Sequence, residues 1–151
     1  MLELTTGNLL AADVDALVNA VNIVGVMGKG IALQFKTAYP ENFRVYKAAC
    51  DAHTLDIGQM LTHDAGAAAR PRYIINFPTK RHFRSPSQLE YIDLGLPALT
   101  REVRRLAIRS LAVPALGCGL GGLAWSDVLP RIEAAFLPLA DVHVLVFAPN
   151  G

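Results

Sequence analysis

Cysteine is scarce in this chain of 151 residues, which contains only Cys50 and Cys118, far apart in sequence. There is no CxxC pair and no cluster of cysteine with histidine, so neither a disulfide framework nor a zinc site is indicated. The histidines, at positions 53, 63, 82 and 143, do not pair at metal-binding spacing. We therefore expect no metal, and a reducing, cytoplasmic environment.

The chain also lacks a long apolar run and a charge imbalance. No stretch reaches the roughly 18 apolar residues that a membrane-spanning helix needs, and no basic region precedes an apolar segment at the N-terminus. We expect neither membrane association nor a secretory signal. The 14 basic and 13 acidic residues give a net charge of +1, which argues against overall attraction to nucleic acid but leaves a local basic patch open. With 52% hydrophobic residues, the chain can fill the core of one domain.

Short apolar segments alternate with longer segments of helical periodicity. The apolar segments are rich in Val, Ile and Leu, which predicts strands buried on both faces, at 2–5, 16–20, 59–63, 73–77, 110–114 and 142–147. Helices are predicted at 31–38, 40–52, 89–106 and, capped by Ser126, up to about residue 137. This alternation predicts an α/β protein with a mixed, mostly parallel sheet, in which ligands bind at the carboxyl ends of the strands.

Two glycine-rich segments each lie between a predicted strand and a helix. The first is NAVNIVGVMGKG at 19–30, and the second is PALGCGLGGL at 114–123, with four glycines in the six residues 117–122. Glycines let backbone amides approach an anion, and a helix start adds free N–H groups, so both segments suit phosphate binding. The alternative is a simple turn or connector, but two such loops in one small domain favour a diphosphate ligand.

A third segment, NFPTKRHFRSPS at 76–87, concentrates positive charge after a predicted strand. Lys80, Arg81, His82 and Arg84 alternate with phenylalanines, a pattern that suits a nucleic-acid backbone with stacked bases. A solvated basic loop is the alternative reading of the same residues.

Two further polar residues follow predicted strands. The Asn22 amide is placed to bind sugar hydroxyls or, equally, to hold an Asx-type turn. Cys118 lies in the second glycine loop without a neighbouring histidine or acid, which favours a small packed residue over a nucleophile.

Four segments, in order and spacing, resemble the macrodomain family of ADP-ribose-binding modules. They are GNLL at 7–10, VDALVNAVN at 14–22, GKGIA at 28–32 and VPALGCGLGGL at 113–123. The resemblance extends over essentially the whole chain. It implies one three-layer α/β/α domain over residues 1–151, with a central mixed, mostly parallel sheet and ADP-ribose as its ligand.

Within the family, the chain most resembles the subgroup of the terminal ADP-ribose protein glycohydrolase and the DarG-type antitoxins. GVMGKGIALQFK at 25–36, INFPTK at 75–80, CGL at 118–120 and Trp125 carry this likeness. The basic loop fits the DarG type, which removes ADP-ribose from thymidine bases in single-stranded DNA and so reverses a DarT-like toxin. DarG antitoxins usually carry a further C-terminal domain, so the chain is compatible with the N-terminal domain of a longer antitoxin.

The resemblance also implies roles for individual residues. Asn8 stands where macrodomains usually place the Asp that accepts from the adenine amino group, Phe147 lies near the position that packs on adenine, and Asn22 matches a residue near the distal ribose. The implied ADP-ribose-binding residues are Asn8, Leu9, Asn22, Gly28, Lys29, Gly30, Ile31, Ala32, Pro114, Gly117, Cys118, Gly119, Leu120, Gly121, Gly122, Leu123 and Phe147.

Lys80 matches the catalytic lysine of the subgroup, and one departure from the family pattern affects its mechanism. The protein glycohydrolase assists its lysine with an Asp at the position of Gly121. Without that acid, Lys80 either attacks C1″ of the distal ribose as a neutral amine or stabilises the departing base as an ammonium, and the second role is slightly favoured.

The implied function is therefore a metal-independent DNA ADP-ribosyl glycohydrolase without a cofactor, acting as a monomer and paired with a DarT-like toxin. Arg81, His82 and Arg84 are candidate DNA contacts. Two alternatives stay open: a hydrolase of ADP-ribosyl glutamate on proteins, and a non-catalytic ADP-ribose reader.

Overall fold

The computed structural model describes residues 1–149, which form a six-stranded sheet between two pairs of helices. The strands are β1 Leu2–Thr5, β2 Ala16–Asn22, β3 Leu61–Asp64, β4 Tyr73–Lys80, β5 Ser110–Val113 and β6 His143–Phe147. The helices are α1 Gly30–Ala38, α2 Pro40–Asp51, α3 Leu89–Arg105 and α4 Trp125–Phe136. One-turn 3-10 helices occupy Leu9–Ala11 and Gly119–Gly121.

The sheet has the strand order β1-β6-β5-β2-β4-β3. All neighbours are parallel except β3, which runs antiparallel to β4 at one edge, so the expected mixed, mostly parallel sheet is confirmed. No helix within the described chain is long and apolar enough to cross a membrane.

Adjacent residues of the central strands point to opposite faces of the sheet and bury both. Val18 of β2 packs in the cluster that includes Leu99 of α3 and Ile132 of α4. Its neighbour Leu17 packs on the other side, in a cluster with Phe35 of α1. This alternation produces the three-layer α/β/α arrangement expected from the family resemblance.

The strand predictions were wrong at the edges of the sheet and at two strand ends. Edge strands β1 and β3 are half-buried or exposed rather than buried on both faces. β2 and β4 continue two and three residues past their predicted ends, to Asn22 and Lys80, and β4 passes through Pro78. Because β3 pairs only with residues 73–76, the outer edge of residues 77–80 is unpaired, and a proline is tolerated there.

The N-terminal cap predicted for α4 was also wrong. The helix begins at Trp125 with Ala124 as its N-cap, and no side chain caps it. Ser126 therefore lies inside the first turn. The other helices begin and end within a residue or two of the predicted positions.

Candidate functional site

A cleft of about 1240 Å³ runs along the carboxyl ends of the parallel strands. It passes from Phe147 at the end of β6, past Pro114 after β5 and Asn22 of β2, to Lys80 at the end of β4. These four strands are consecutive in the sheet, so the two ends of this series are roughly 14 Å apart, three strand spacings. The cleft is thus long enough for an extended ligand with different groups at its two ends.

The cleft brings together most of the predicted site residues. From the ADP-ribose set these are Asn8, Leu9, Asn22, Gly28, Lys29, Gly30, Ile31, Ala32, Pro114, Gly117, Cys118, Gly119, Leu120, Gly121 and Phe147, joined by Lys80 and Arg84. Gly122 and Leu123 lie outside its lining. Leu123 instead packs against the core on the α3 and α4 side of the sheet. Arg81 and His82 also lie outside the lining.

The first glycine loop presents the start of α1 to the cleft. Lys29 is the N-cap in extended conformation and makes no side-chain capping bond. The first N–H groups of a helix have no intrahelical acceptor, and among residues 1–149 the amides of Gly30, Ile31 and Ala32 make no other hydrogen bond. Buried Met27 anchors the loop from below. The arrangement can bind an anion through backbone donors.

The second glycine loop leaves amides free in the same way. Gly119 has a φ of +64° and no atom within 4 Å of the place where a Cβ would be, so a side chain there would project into open space. The amides of Gly119 and Leu120 make no hydrogen bond within the described chain. Leu120 Cδ1 lies 3.4 Å from the corresponding Cβ position of Gly30, so the two loops meet across the cleft.

The end of the cleft near Phe147 is mostly apolar. Asn8 caps the short helix Leu9–Ala11, and its Oδ1 accepts a hydrogen bond from Leu10 N at 3.1 Å. Half-buried Phe147 packs beside Leu9 in the cluster on the α1 side of the sheet. An aromatic ring beside an amide suits a flat, polar heterocycle such as adenine.

The Asn22 side chain holds the first glycine loop, as the Asx-turn interpretation expected. Its Oδ1 accepts from Val24 N at 3.0 Å and from the Tyr46 hydroxyl at 2.7 Å, while its Nδ2 donates to Val26 O at 2.8 Å. Burial raises the pKa of Tyr46 well above its usual range, so this hydroxyl keeps its proton. The predicted contact of Asn22 with ribose stays a prediction.

Lys80 lies at the end of β4, opposite Asn22 in the register between β2 and β4. Its Nζ donates to the backbone carbonyl of Phe83 at 3.4 Å. None of the ion pairs formed by residues 1–149 includes Lys80. The amino group is therefore held by one neutral acceptor at the cleft, and its charge is available to a ligand.

Gly121 has no room for a side chain. A Cβ there would lie 2.5 Å from Ser87 Oγ and 3.0 Å from Ser87 Cβ. Ser87 N also donates to Gly121 O at 2.9 Å, which ties the basic loop to the second glycine loop. Any side chain at position 121, an acid included, would therefore require Ser87 to move, which gives a physical reason for the departure from the glycohydrolase pattern.

The basic segment is divided between the strand and the loop that follows it. Phe77 is fully buried in β4, packed against Gly95 of α3, so it is not part of a surface for nucleic acid. Arg81 points to Asp56, 3.5 Å away, and its guanidinium lies over Tyr91. Phe83 and Arg84 line the cleft next to Lys80.

Three buried asparagines below the first glycine loop were not recognised as structural residues from the sequence. Asn76 of β4 donates to Asn42 Oδ1 of α2 at 2.8 Å and accepts from Asn19 Nδ2 of β2 at 3.3 Å. Asn19 Nδ2 also contacts the sulfur of Met27. The network ties β2, β4 and α2 to the base of the loop. The sequence signal that could have identified the network is one asparagine within each of two apolar strand segments, Asn19 and Asn76.

The geometry of Cys118 favours the packed-residue interpretation. Its Sγ points to the Leu116 carbonyl at 3.8 Å, and burial raises the pKa of its thiol. A raised pKa lowers the thiolate fraction, and therefore the reactivity, at neutral pH. No group of three His, Cys, Asp or Glu residues in the described structure is arranged to hold a metal ion.

The Macro domain family matches residues 18–132, most of the chain, and the chain belongs to this family of macrodomains. A curated relative from Mycobacterium tuberculosis, named DNA ADP-ribosyl glycohydrolase, is 54% identical over 151 residues, which is all of this chain and 43% of that protein. The chain thus spans less than half the length of that relative. The resemblance to the family noted in the sequence is confirmed.

Two solved structures extend the comparison. The macrodomain of Mycobacterium tuberculosis DarG superposes with a TM-score of 0.97 at 53% identity, covering 99% of both chains. Thermosipho africanus DarTG in complex with ADP-ribose superposes with a TM-score of 0.88 at 34% identity, over 97% of this chain and 41% of that one. The curated name of the Thermosipho protein is a DNA ADP-ribosyl transferase-DNA ADP-ribosyl glycohydrolase fusion protein.

Proposed function

We propose that this macrodomain hydrolyses the bond between ADP-ribose and thymidine bases of single-stranded DNA. The observation that carries the proposal is Lys80, which ends β4 at one end of a cleft whose centre offers two sets of free backbone amides. The names of relatives at 54% and 34% identity support the same reaction. The predicted ADP-ribose-binding residues that line the cleft form the proposed ADP-ribose site.

The two glycine loops bind the diphosphate, and the cleft orients the rest of the ligand. Each phosphate accepts charge-assisted hydrogen bonds worth about 1.5–3 kcal/mol apiece. A few such bonds, after the cost of association, correspond to micromolar affinity for free ADP-ribose. Adenine lies at the Asn8 and Phe147 end, which places the distal ribose at the Lys80 end. Binding therefore positions C1″ for reaction.

Hydrolysis breaks the bond from C1″ to the base nitrogen, adds a water oxygen to C1″ and leaves one proton on the base. Positive charge develops on the ribose and negative charge on the departing thymine. Lys80 as an ammonium stabilises or protonates that base. This role needs no acid at position 121. Borohydride trapping tests it: a covalent sugar adduct on Lys80 would establish attack by a neutral amine instead.

The biological setting follows from the proposed reaction. A glycohydrolase acting on DNA reverses a DNA ADP-ribosyltransferase, so the partner toxin is DarT-like, and the fused Thermosipho relative supports this pairing. The macrodomain is then one part of a longer antitoxin, in line with its 43% coverage of the mycobacterial relative. Two free cysteines fit a cytoplasmic location. A monomeric state remains a prediction.

The test is release of ADP-ribose from two substrates by the wild-type chain. One is single-stranded DNA modified on thymidine, and the other is a protein modified on glutamate. We expect release from DNA and little from protein. Release from protein only would make this a protein glycohydrolase. Bound ADP-ribose without release from either substrate would make it a reader.

A further inference from the structure

Phe83 is the only phenylalanine, tyrosine or tryptophan of residues 1–149 whose side chain is exposed, at 43%. Every other aromatic ring of these three types is buried or half-buried in the described structure. Exposing a ring of this size leaves apolar area in water that folding could have removed. An exposed aromatic side chain at the mouth of a cleft therefore points to a contact with a ligand.

The residues on either side of Phe83 hold its ring in place. The His82 imidazole lies 4.1 Å from the ring, centroid to centroid, at an interplanar angle of 31°. The Arg84 guanidinium carbon lies 5.6 Å from the ring centroid. Arg84 N donates to His82 Nδ1 at 3.1 Å, and Ser85 N donates to the His82 carbonyl at 3.1 Å. The loop is thus a hydrogen-bonded turn that presents an oriented ring.

The ring lies at the reactive end of the cleft. The Phe83 carbonyl accepts the hydrogen bond from Lys80 Nζ, and both residues line the cleft together with Arg84. In the proposed reaction the modified thymine departs at Lys80, so the neighbouring nucleotides leave the cleft beside Phe83. Their bases are unpaired in single-stranded DNA and offer flat faces for stacking. Arg84 adds a positive charge for the adjoining phosphate.

From these observations we infer that Phe83, held by His82 and Arg84, stacks on a base next to the modified thymidine. The inference rests on the proposed DNA substrate and adds a recognition site for a neighbouring base at the Lys80 end of the cleft. A modified protein has no such base, so stacking on Phe83 favours DNA over protein as the substrate. His82 acts on the substrate through Phe83 and is a positioning residue.

The experiment compares wild type, Phe83→Ala and Phe83→Trp on two oligonucleotides that carry one ADP-ribosylated thymidine. In the first, normal nucleotides flank the thymidine, and in the second both flanking nucleotides are abasic. Phe83→Ala is expected to lower kcat/KM about 5- to 150-fold on the first oligonucleotide, the range of one lost base stack. On the second it should match the wild type. Phe83→Trp should retain activity on both.

Two controls separate stacking from damage to the fold or to the cleft. Affinity for free ADP-ribose should be the same in wild type and Phe83→Ala. Leu137→Ala removes another exposed apolar side chain, 81% accessible and absent from the cleft lining, and should leave all rates unchanged. If Phe83→Ala loses affinity for free ADP-ribose, or loses rate equally on both oligonucleotides, stacking is excluded.

Failure of the inference and failure of the proposed function give different results. Equal rates for wild type and Phe83→Ala on the normal oligonucleotide would overturn the stacking role while DNA hydrolysis stands. No release from either oligonucleotide by the wild type would overturn the proposed function, and the stacking site with it.

Discussion

The two ends of the sheet differ in whether the protein provides acceptors for their hydrogen-bond donors. At the amino ends of β2 and β5, Asp15 accepts hydrogen bonds from Arg109 N at 2.9 Å, Ser110 N at 3.2 Å and Arg70 Nη1 at 2.8 Å. At the carboxyl ends, the first amides of α1 and the amides of Gly119 and Leu120 make no hydrogen bond within residues 1–149, and Lys80 Nζ donates only to the Phe83 carbonyl. Donors are matched by the protein at one end and left for a ligand at the other.

The pKa of Asp15 reflects this matching. Partial burial would raise it, but the backbone amides of Arg109 and Ser110 and the Arg70 guanidinium outweigh burial and lower it. At the opposite end, no carboxylate of residues 1–149 accepts a hydrogen bond from the free amides of the glycine loops. If the proposed site is right, substitutions at Asp15 and substitutions in the glycine loops should have separate effects, the first on stability and the second on ligand binding.

The largest expected effect is on turnover in Lys80→Ala. We expect release from thymidine-modified DNA to fall about 10²- to 10⁴-fold, the usual contribution of a positioned proton donor. Affinity for free ADP-ribose, measured by calorimetry, should persist because the loops are untouched. Lys47→Ala removes a lysine that pairs with Asp51 on α2 and is the matched control. A parallel loss of ADP-ribose affinity in Lys80→Ala would place Lys80 in binding rather than chemistry.

The second-largest expected effect is on the affinity of Gly119→Val for ADP-ribose. The new side chain extends into the open space of the cleft next to the free amides of Gly119 and Leu120. We expect it to weaken ADP-ribose binding about 10- to 150-fold, the loss of one charge-assisted hydrogen bond. Turnover should fall with it. Gly66→Val, at the other end of the sheet, also has a positive φ, +105°, and open space around its Cβ position. Gly66→Val should lose as much stability as Gly119→Val but bind ADP-ribose normally. If both variants bind ADP-ribose weakly, the loss in Gly119→Val does not come from a side chain that obstructs the cleft.

Asp15→Asn should change stability without changing binding. Loss of charged hydrogen bonds predicts a decrease of about 1–3 kcal/mol in the free energy of unfolding, or about 2–4 °C in Tm per kcal/mol. Asp13→Asn, with a carboxylate that is 86% exposed, is the milder control. Equal melting temperatures for Asp15→Asn and the wild type would contradict the role of Asp15.

Asp15→Asn should also change how the stability of the protein depends on pH. The lowered pKa of Asp15 means that its contribution is complete above the unfolded value near 3.9 and is lost as the pH falls through the lower folded value. Thermal melts from neutral to acid pH should therefore show a smaller loss of stability in Asp15→Asn than in the wild type. If the stabilities of Asp15→Asn and the wild type fall in parallel with decreasing pH, the titration of Asp15 is not linked to folding.

The smallest effect is expected for Cys118→Ala. Burial raises the pKa of this thiol, so it contributes little thiolate, and the lining of the cleft changes only slightly. Turnover on DNA should stay near the wild-type rate, and iodoacetamide should modify Cys118 slowly at neutral pH. Loss of turnover with normal ADP-ribose affinity would make the thiol part of the chemistry.

The sequence was most informative where neighbouring residues determine the structure. Both glycine loops follow strands and combine short side chains with free amides, which is a pattern of neighbouring residues. Both loops line the cleft. Lys80 was predicted as a site residue from its motif and lies in the cleft, although the strand that carries it was predicted too short. Proline normally ends a strand, and only the short pairing of β3 explains why Pro78 does not.

Contacts between distant segments could not be predicted. Ser87 fills the space beside Gly121, 34 positions later in the chain, and this packing is visible only in the folded protein. The direction of Arg81 depends on Asp56 and Tyr91, which lie on other elements. For the same reason Gly122 and Leu123, adjacent in sequence to residues that line the cleft, lie outside it.

The most direct test of the account is a crystal structure of this chain with ADP-ribose. We expect adenine beside Asn8 and Phe147, the diphosphate on the amides of the two glycine loops, and C1″ of the distal ribose next to Lys80. A ligand bound in the reverse direction, or with its distal ribose away from Lys80, would contradict it.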